Sequence, residues 1–245
     1  MGRNDETLDV GVGLANRGPA PLVGLKADAE LLGHLESRRL DESLEAGASA
    51  RLLFSFPLGD ATPGVHAVTL RLEYQAAGAD GQPAQTIVQP AYVLLALGEN
   101  AAPAVRIDAP EARMDSVGRW RVALESADGA AHHMRLRVVL PRTLRADPLD
   151  SPVDVPATGR VEKELLLFRV DAPWEGPQGA LLVAATDGEP VTRTTVATAV
   201  VRVGREPGRM PRLRRPLAVA MALLFLAALA LEVRRFLRPT TCLPP

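Results

Sequence analysis

The stretch DVGVGLANRG, residues 9–18, sets the pattern that the rest of the sequence follows. Val10, Val12 and Leu14 alternate with small or polar residues, and the run ends in an Asn-x-Gly sequence typical of turns. An apolar residue at every second position predicts a β-strand that buries one face. We therefore expect a protein built from β-sheets.

The same plan returns 110 residues later, in RWRVALESADG, residues 119–129. Trp120, Val122 and Leu124 occupy the alternating positions there, and Asp128–Gly129 supplies the turn. Two further pairs of segments correspond in the same order, 46–56 with 157–168 and 63–97 with 177–203. The sequence thus contains an internal duplication.

Each half contains about seven short strands and ends in a long hairpin, with turns at residues 78–81 and 187–189. Such regular spacing is typical of a Greek-key sandwich. We predict a mainly β fold: two tandem immunoglobulin-like β-sandwiches, residues 1–98 and 104–203, followed by a single transmembrane α-helix.

The turn motifs of the first half occur in a recognisable order: Asn-x-Gly, then Ala-Gly-x-Ser, then Pro-Gly-x-His, each between strands. This order resembles the bacterial immunoglobulin-like domains of the CARDB and NEW3 type, over residues 7–97 and 104–203. The resemblance implies a β-sandwich, an envelope protein with a C-terminal membrane helix, and no catalytic residues. The second half departs from it, with Asp128–Gly129 for the Asn-x-Gly turn and no serine after Gly159.

The duplication also predicts a missing strand. In the second half the short strand AVRI, residues 104–107, precedes the Trp120 strand, and subtracting 110 places its counterpart before residue 1. We expect either that the first sandwich has an open edge or that the natural start lies upstream. An upstream start would leave room for a signal peptide and an extracytosolic body.

Residues 216–233 form an 18-residue apolar segment, interrupted only by Glu232. As a helix it would span ~27 Å, close to the ~30 Å of a hydrocarbon core. We predict a transmembrane helix, with a helix buried in a globular core as the alternative. A basic Pro/Gly-rich stalk, residues 204–215, precedes it, and a short tail, residues 234–245, follows.

The net charge of −1 conceals an acidic body and a basic tail. Residues 1–200 carry 19 basic and 27 acidic side chains, which argues against nucleic acid as a partner. Six arginines before the apolar segment and three after it favour a cytoplasmic body, with a periplasmic or extracellular body as the alternative. The arginines expected at the membrane interface are Arg212, Arg214, Arg215, Arg234 and Arg235.

No motif predicts a catalytic residue, a cofactor or a metal. His132 and His133 are adjacent on a strand and so face opposite ways, which leaves a solvated strand start as the expectation. His66 is in phase with the apolar residues of its strand and is expected at the rim of the first core.

Three more patterns fail as sites. Asp147, Asp150 and Asp154 do not have the spacing of a calcium loop, so we expect an exposed connecting loop. The stretch GVGLANRG lacks the third glycine of a dinucleotide fingerprint, and GASAR, around Ser49, lacks the second glycine of a nucleophile elbow.

These observations predict a non-catalytic, membrane-anchored accessory or scaffolding subunit. It would dock on an integral-membrane protein complex, whether respiratory, photosynthetic, transport or envelope, through its sandwiches and its helix. Ala218 and Ala222 are candidates for close helix packing, and the basic flanks would contact anionic lipid headgroups. An open sheet edge can also recruit a partner's strand.

The alternative is an extracytosolic carbohydrate or cell-wall binding module. Sugar sites usually use exposed aromatic platforms. Trp120 and Tyr74 are in phase with the cores, so Trp174 is the candidate ligand contact.

Overall fold

The computed structural model describes residues 7–59, 61–76, 85–98, 100–170 and 175–204. These residues form fifteen β-strands and no helix, so the mainly β fold is confirmed for the described part of the chain. None of them forms a helix long and apolar enough to cross a membrane. The predicted transmembrane helix and tail, and the stalk from residue 205 onward, lie outside the described residues.

The first half forms a two-stranded sheet packed on a four-stranded sheet. The small sheet pairs β1 (Thr7–Ala15) with β4 (Ser49–Pro57), antiparallel. The large antiparallel sheet has the order β3-β2-β5-β6, formed by β2 (Leu22–Leu31), β3 (His34–Arg39), β5 (Gly64–Ala76) and β6 (Gln85–Leu97). The alternating residues predicted to be buried, with Phe54 and Phe56 of β4, fill the core between the sheets.

The second half forms nine strands in two sheets. The strands are β7 (Val105–Asp108), β8 (Ala112–Met114), β9 (Val117–Ser126), β10 (His132–Val139), β11 (Leu144–Asp147), β12 (Asp150–Val155), β13 (Arg160–Arg169), β14 (Gly176–Thr186) and β15 (Thr194–Val203). One sheet has the order β11-β13-β9-β7 and the other β12-β10-β14-β15-β8. Trp120 is the largest side chain of its core and is 1% exposed.

The two halves share one topology. Strands β1, β4, β2, β5 and β6 pair with one another in the same way as β9, β13, β10, β14 and β15 do. In the second half the sheets correspond to strands A-B-E-D and C-F-G of the immunoglobulin fold, with β12 added beside β10 and β8 added beside β15. Both halves are therefore immunoglobulin-like β-sandwiches.

The two sandwiches differ at their opening strands. In the second, β7 pairs antiparallel with β9 and β8 pairs parallel with β15. In the first, β1 pairs only with β4 and β6 only with β5 among the described strands. One edge of each of these two strands therefore has no β-strand partner in the part of the chain that the structure describes.

Backbone hydrogen bonds join the two sandwiches, which belong to one compact unit, residues 1–204. The Val65 N–H donates to the Thr192 carbonyl at 2.7 Å, and the Thr192 N–H donates to the Pro63 carbonyl at 2.8 Å. Between them, Gly64 has a φ of +129°, and a Cβ there would lie 2.0 Å from the Thr192 oxygen. Only glycine fits this position without a shift of the backbone.

Ion pairs reinforce this junction. Arg142 of the second sandwich lies 2.9 Å from Asp28 and 3.5 Å from Glu73 of the first, and Arg137 pairs with Glu30. The Asp28 carboxylate also accepts a hydrogen bond from Ser37. Burial would raise the pKa of Asp28, but its hydrogen bonds to Ser37 and to basic neighbours outweigh burial and lower that pKa.

Candidate functional site

The first sandwich has an apolar surface along its edge strand β6. The inner face of β6 carries Ala91, Val93 and Leu95, yet Val93 is 36% exposed and the other two are only partly buried. On the outer face Tyr92 is 38% and Leu94 45% exposed. An edge strand that is apolar on both faces and carries no charge is prone to pair with another strand.

The equivalent edge of the second sandwich is covered. There β8 pairs with the end of β15, and Val201 and Val203 are 0% and 3% exposed. On the opposite sheet, β7 places Ile107 beside Leu124, and Leu124 is fully buried. Leu14, the residue of the first sandwich that corresponds to Leu124, is only half-buried. We call the combined edges of β1 and β6 the open flank.

Sequence reasoning predicted an open edge at the missing opening strand but did not single out β6. The available signal was the run AYVLLAL, residues 91–97, which has no charge. The corresponding end of the second half, ATAVVRV at residues 197–203, carries Arg202. The arginine in the covered strand and the absence of charge in residues 91–97 are the difference that the sequence offers between the two strand ends.

The structure corrects the expectation for His132, which is not a solvated strand start. Its side chain is 2% exposed, because β10 places it between the two hairpin turns at that end of the sandwich. Nε2 lies 2.7 Å from Asp128 and Nδ1 lies 3.1 Å from Glu189. Arg193 donates to both carboxylates, at 2.7 and 2.9 Å.

This four-residue ion cluster favours a protonated imidazole. Burial would lower the pKa of His132, but hydrogen bonds to Asp128 and Glu189 outweigh burial and raise it. The same hydrogen bond from His132 lowers the pKa of Asp128. With every charge paired and the imidazole buried, the cluster is suited to holding two turns together rather than to binding a substrate.

The other predicted residues are not brought together in one site. His133 is exposed on the opposite face and pairs with Asp154. The expectation of a connecting loop for Asp147, Asp150 and Asp154 is wrong, because these residues lie on strands β11 and β12. Asp150 lies 3.7 Å from Arg135. Among the described residues no group of three or more His, Cys, Asp and Glu could hold a metal ion.

His66, expected at the rim of the first core, is buried, and one ring nitrogen lies 2.8 Å from the Thr62 carbonyl. It lines a cleft of about 490 Å³ where the two sandwiches meet, beside Thr192 and Arg137. The aromatic candidates are placed as follows. Trp120 is buried in the second core, Tyr74 packs against the first, and Trp174 lies outside the described residues.

Comparisons with known proteins give no assignment. No protein-family profile matches this chain, and no curated protein matches it. Similar solved structures include red sea bream transglutaminase, at 14% identity over 82% of this chain and 29% of that chain, with a TM-score of 0.26. CBD12 from CALX1.2 has 10% identity over 80% of this chain and 92% of that chain, with a TM-score of 0.28.

The Escherichia coli α-2-macroglobulin has 13% identity over 83% of this chain and 22% of that chain, with a TM-score of 0.29. The chain thus spans less than a third of the transglutaminase and of the macroglobulin. At these low scores the immunoglobulin-like fold rests on the strand order described above.

Proposed function

We propose that this protein is a non-catalytic, membrane-anchored accessory subunit that docks on a larger membrane protein complex. The observation that carries the proposal is the 18-residue apolar segment at 216–233, bordered by arginines on both sides. Mid-span leucines favour insertion by about 0.3–0.6 kcal/mol each, and flanking arginines reach the headgroups. The segment would anchor two sandwiches at the membrane surface.

Three structural features support a binding role over catalysis. The described ion cluster pairs all of its charges internally, the described histidines do not converge on one another, and the open flank offers backbone groups for pairing. A nucleophile with a base and an orienting group would be needed for acyl-transfer chemistry, and the described residues do not assemble one. Docking through a strand edge requires none of these groups.

Membrane flotation of the full chain tests the anchor. We expect the wild-type protein to float with membranes and to resist carbonate extraction. Replacing Leu224 and Leu226 with arginine should release it, because each arginine at mid-span costs about 2.5–3.5 kcal/mol of insertion free energy. The matched control replaces Leu213 and Leu237, outside the segment, and should still float. A wild-type chain that stays in solution without detergent would refute the proposal.

Thiol labelling tests the orientation. Cys242 is the only cysteine and lies beyond the apolar segment. If the sandwiches are cytoplasmic, an impermeant maleimide will label Cys242 in intact cells. Protection that ends on lysis would instead place the sandwiches on the extracytosolic side. Co-purification of a stoichiometric membrane complex in mild detergent tests the docking itself.

A further inference from the structure

The turn between β14 and β15, residues 187–193, takes part in two sets of contacts. Its Thr192 exchanges backbone hydrogen bonds with the first sandwich, and the Thr192 hydroxyl group hydrogen-bonds to that of Thr62. Its Glu189 contacts the buried imidazole of His132 in the second sandwich. One short turn therefore connects His132 to the junction between the sandwiches.

Backbone hydrogen bonds hold the base of this turn. The Thr186 N–H donates to the Arg193 carbonyl at 3.1 Å, and the Arg193 N–H donates to the Thr186 hydroxyl group at 3.0 Å. Beyond this base the Glu189 carboxylate lies 3.1 Å from the His132 ring and 2.9 Å from the Arg193 guanidinium. Glu189 therefore fixes the outer part of the turn to the second sandwich.

The proton on His132 decides which group its Nδ1 atom can bind. In the imidazolium both ring nitrogens carry hydrogen, so Nε2 donates to Asp128 at 2.7 Å and Nδ1 donates to Glu189 at 3.1 Å. In the neutral ring only one nitrogen carries hydrogen, and the shorter contact with Asp128 retains it. Nδ1 then repels the Glu189 carboxylate and can accept a hydrogen bond from the Arg193 guanidinium, which lies 3.3 Å away.

We propose that His132 is a proton-controlled latch on the contact between the two sandwiches. When the imidazole is protonated, Glu189 stays bound and the turn holds Thr192 against the first sandwich. When the imidazole is neutral, Arg193 moves toward Nδ1, Glu189 is released, and the Thr192 contact loosens. A change of one charge thereby acts on a turn that has two arrangements.

The groups around His132 favour the protonated, latched form. Burial would lower the pKa of His132, but hydrogen bonds to Asp128 and Glu189 outweigh both burial and the charge of Arg193 and raise that pKa. The proton is thus held more tightly in the latched state than in a free histidine. The latch is therefore complete below about pH 6.5 and is lost as the pH rises through the folded-state pKa.

Charged groups on the adjacent strands pair with one another. Strand β12 lies beside β10 at this end, and β13 borders the same shallow pocket as His132. The charged residues there are Asp154, which pairs with His133, and Arg160 and Glu162, which pair with each other. The proton on His132 is accordingly governed by the charged groups of the two turns.

Release of the turn is expected to be local. The ion pairs that Arg137 and Arg142 make with the first sandwich do not involve residues 187–193. They keep the sandwiches associated when Thr192 is released, so only the contact at the turn opens. The latch acts within the two sandwiches, goes beyond the proposed function and does not depend on the membrane anchor.

Hydrogen exchange of the full-length protein in detergent, followed by NMR, tests the latch. The reporters are the amides of Val65 and Thr192, which donate across the junction at 2.7 and 2.8 Å. The reference is the Asn16 amide, which donates to the Ala48 carbonyl within the first sandwich at 2.9 Å. After correction for intrinsic exchange rates, we expect protection of the two reporters to fall about tenfold from pH 6 to pH 9, while protection of the reference stays constant.

His132→Gln removes the titrating group. Both reporters should then show, at pH 6 and at pH 9, the low protection of the wild type at high pH. The matched control His133→Gln changes the neighbouring exposed histidine, which pairs with Asp154, and should keep the wild-type pH dependence. If His132→Gln unfolds the protein, Glu189→Gln serves instead. It removes the charge that holds the Nδ1 proton and should move the fall in protection to lower pH.

Four results would each overturn the proposal. The first is constant protection of Val65 and Thr192 while the His132 imidazole titrates in the NMR spectrum. The second is a pH dependence that persists in His132→Gln, and the third is a pH dependence that Glu189→Gln leaves in place. The fourth is an equal fall at Asn16, because the whole first sandwich would then be opening.

Discussion

Gly64→Ala tests the junction between the sandwiches. At a φ of +129° an L-residue is strained by about 1–3 kcal/mol, because this region is populated almost only by glycine. The new Cβ would lie 2.0 Å from the Thr192 oxygen, so the strand must retreat and the two flanking hydrogen bonds lengthen or break. Each is worth about 1 kcal/mol. We expect a loss of about 3–5 kcal/mol in the free energy of unfolding.

The control variant Gly33→Ala separates the cost of backbone strain from the cost of the contact with Thr192. Gly33→Ala also has a positive φ, +81°, but nothing lies within 4 Å of the added Cβ. It should cost only the strain, about 1–2 kcal/mol. Urea unfolding gives both values, and small-angle scattering should show expansion for Gly64→Ala alone. Equal losses for the two variants, without expansion, would refute the assigned role of the Thr192 contact.

Three further predictions concern polar groups. His132→Gln should lower the free energy of unfolding by about 2 kcal/mol at pH 6. The pKa of His132 is raised in the folded protein, so the stability that the protonated imidazole contributes is complete below about pH 6.5 and disappears as the pH rises through the folded-state pKa. Urea titrations at pH 6 and pH 9 should therefore differ for the wild type and converge for the variant. Asp28→Asn should lower the free energy of unfolding by about 1–2 kcal/mol at pH 7 and by little at low pH. The pKa of the Asp28 carboxyl is lowered in the folded protein, so the stability it contributes is lost as the pH falls through that pKa. Asp9→Asn, at an exposed position, is the control, and equal effects of the two substitutions would contradict the role of Asp28 at the junction. Asn16→Ala should cost about 2 kcal/mol in thermal unfolding, because Asn16 is 3% exposed and its amide donates to the Ala20 and Leu44 carbonyls, both at 2.9 Å; a change below 0.5 kcal/mol would contradict this.

The sequence predicted those features that depend on local pattern. Alternation at Val10 and Val12 located β1, and alternation at Trp120 and Val122 located β9. The sequence AVRI marked the opening strand that the structure places at residues 105–108. Alternation of buried and exposed residues along a strand can be recognised from consecutive residues alone, so it can be inferred without knowing which strands pair with it.

The ion cluster and the junction could not be inferred in this way. His132 meets Glu189 across 57 positions, and Thr62 meets Thr192 across 130. Such pairings depend on the register of hairpins and on how two sandwiches meet. The adjacent histidines therefore suggested only solvent exposure, and Gly64 stood as one glycine among 20. The tail from residue 205 onward lies outside the described residues, so its anchor stays a prediction.

The indole hydrogen bond from Trp120 to Pro110 bears on how the duplicated chain avoids misassembly. The two halves share a topology, so residues 105–114, which form β7 and then cross over to form β8, could also pair with β1 and β6 while both halves are folding, because one edge of each of these strands has no strand partner among the described residues. Only the second half has a tryptophan to hold the crossover, since Val10 stands at the equivalent position. The hydrogen bond from Trp120 therefore favours pairing of residues 105–114 with the second sandwich. Trp120→Phe should increase the fraction of chains in which this segment pairs with the first sandwich instead, even where phenylalanine still fills the core.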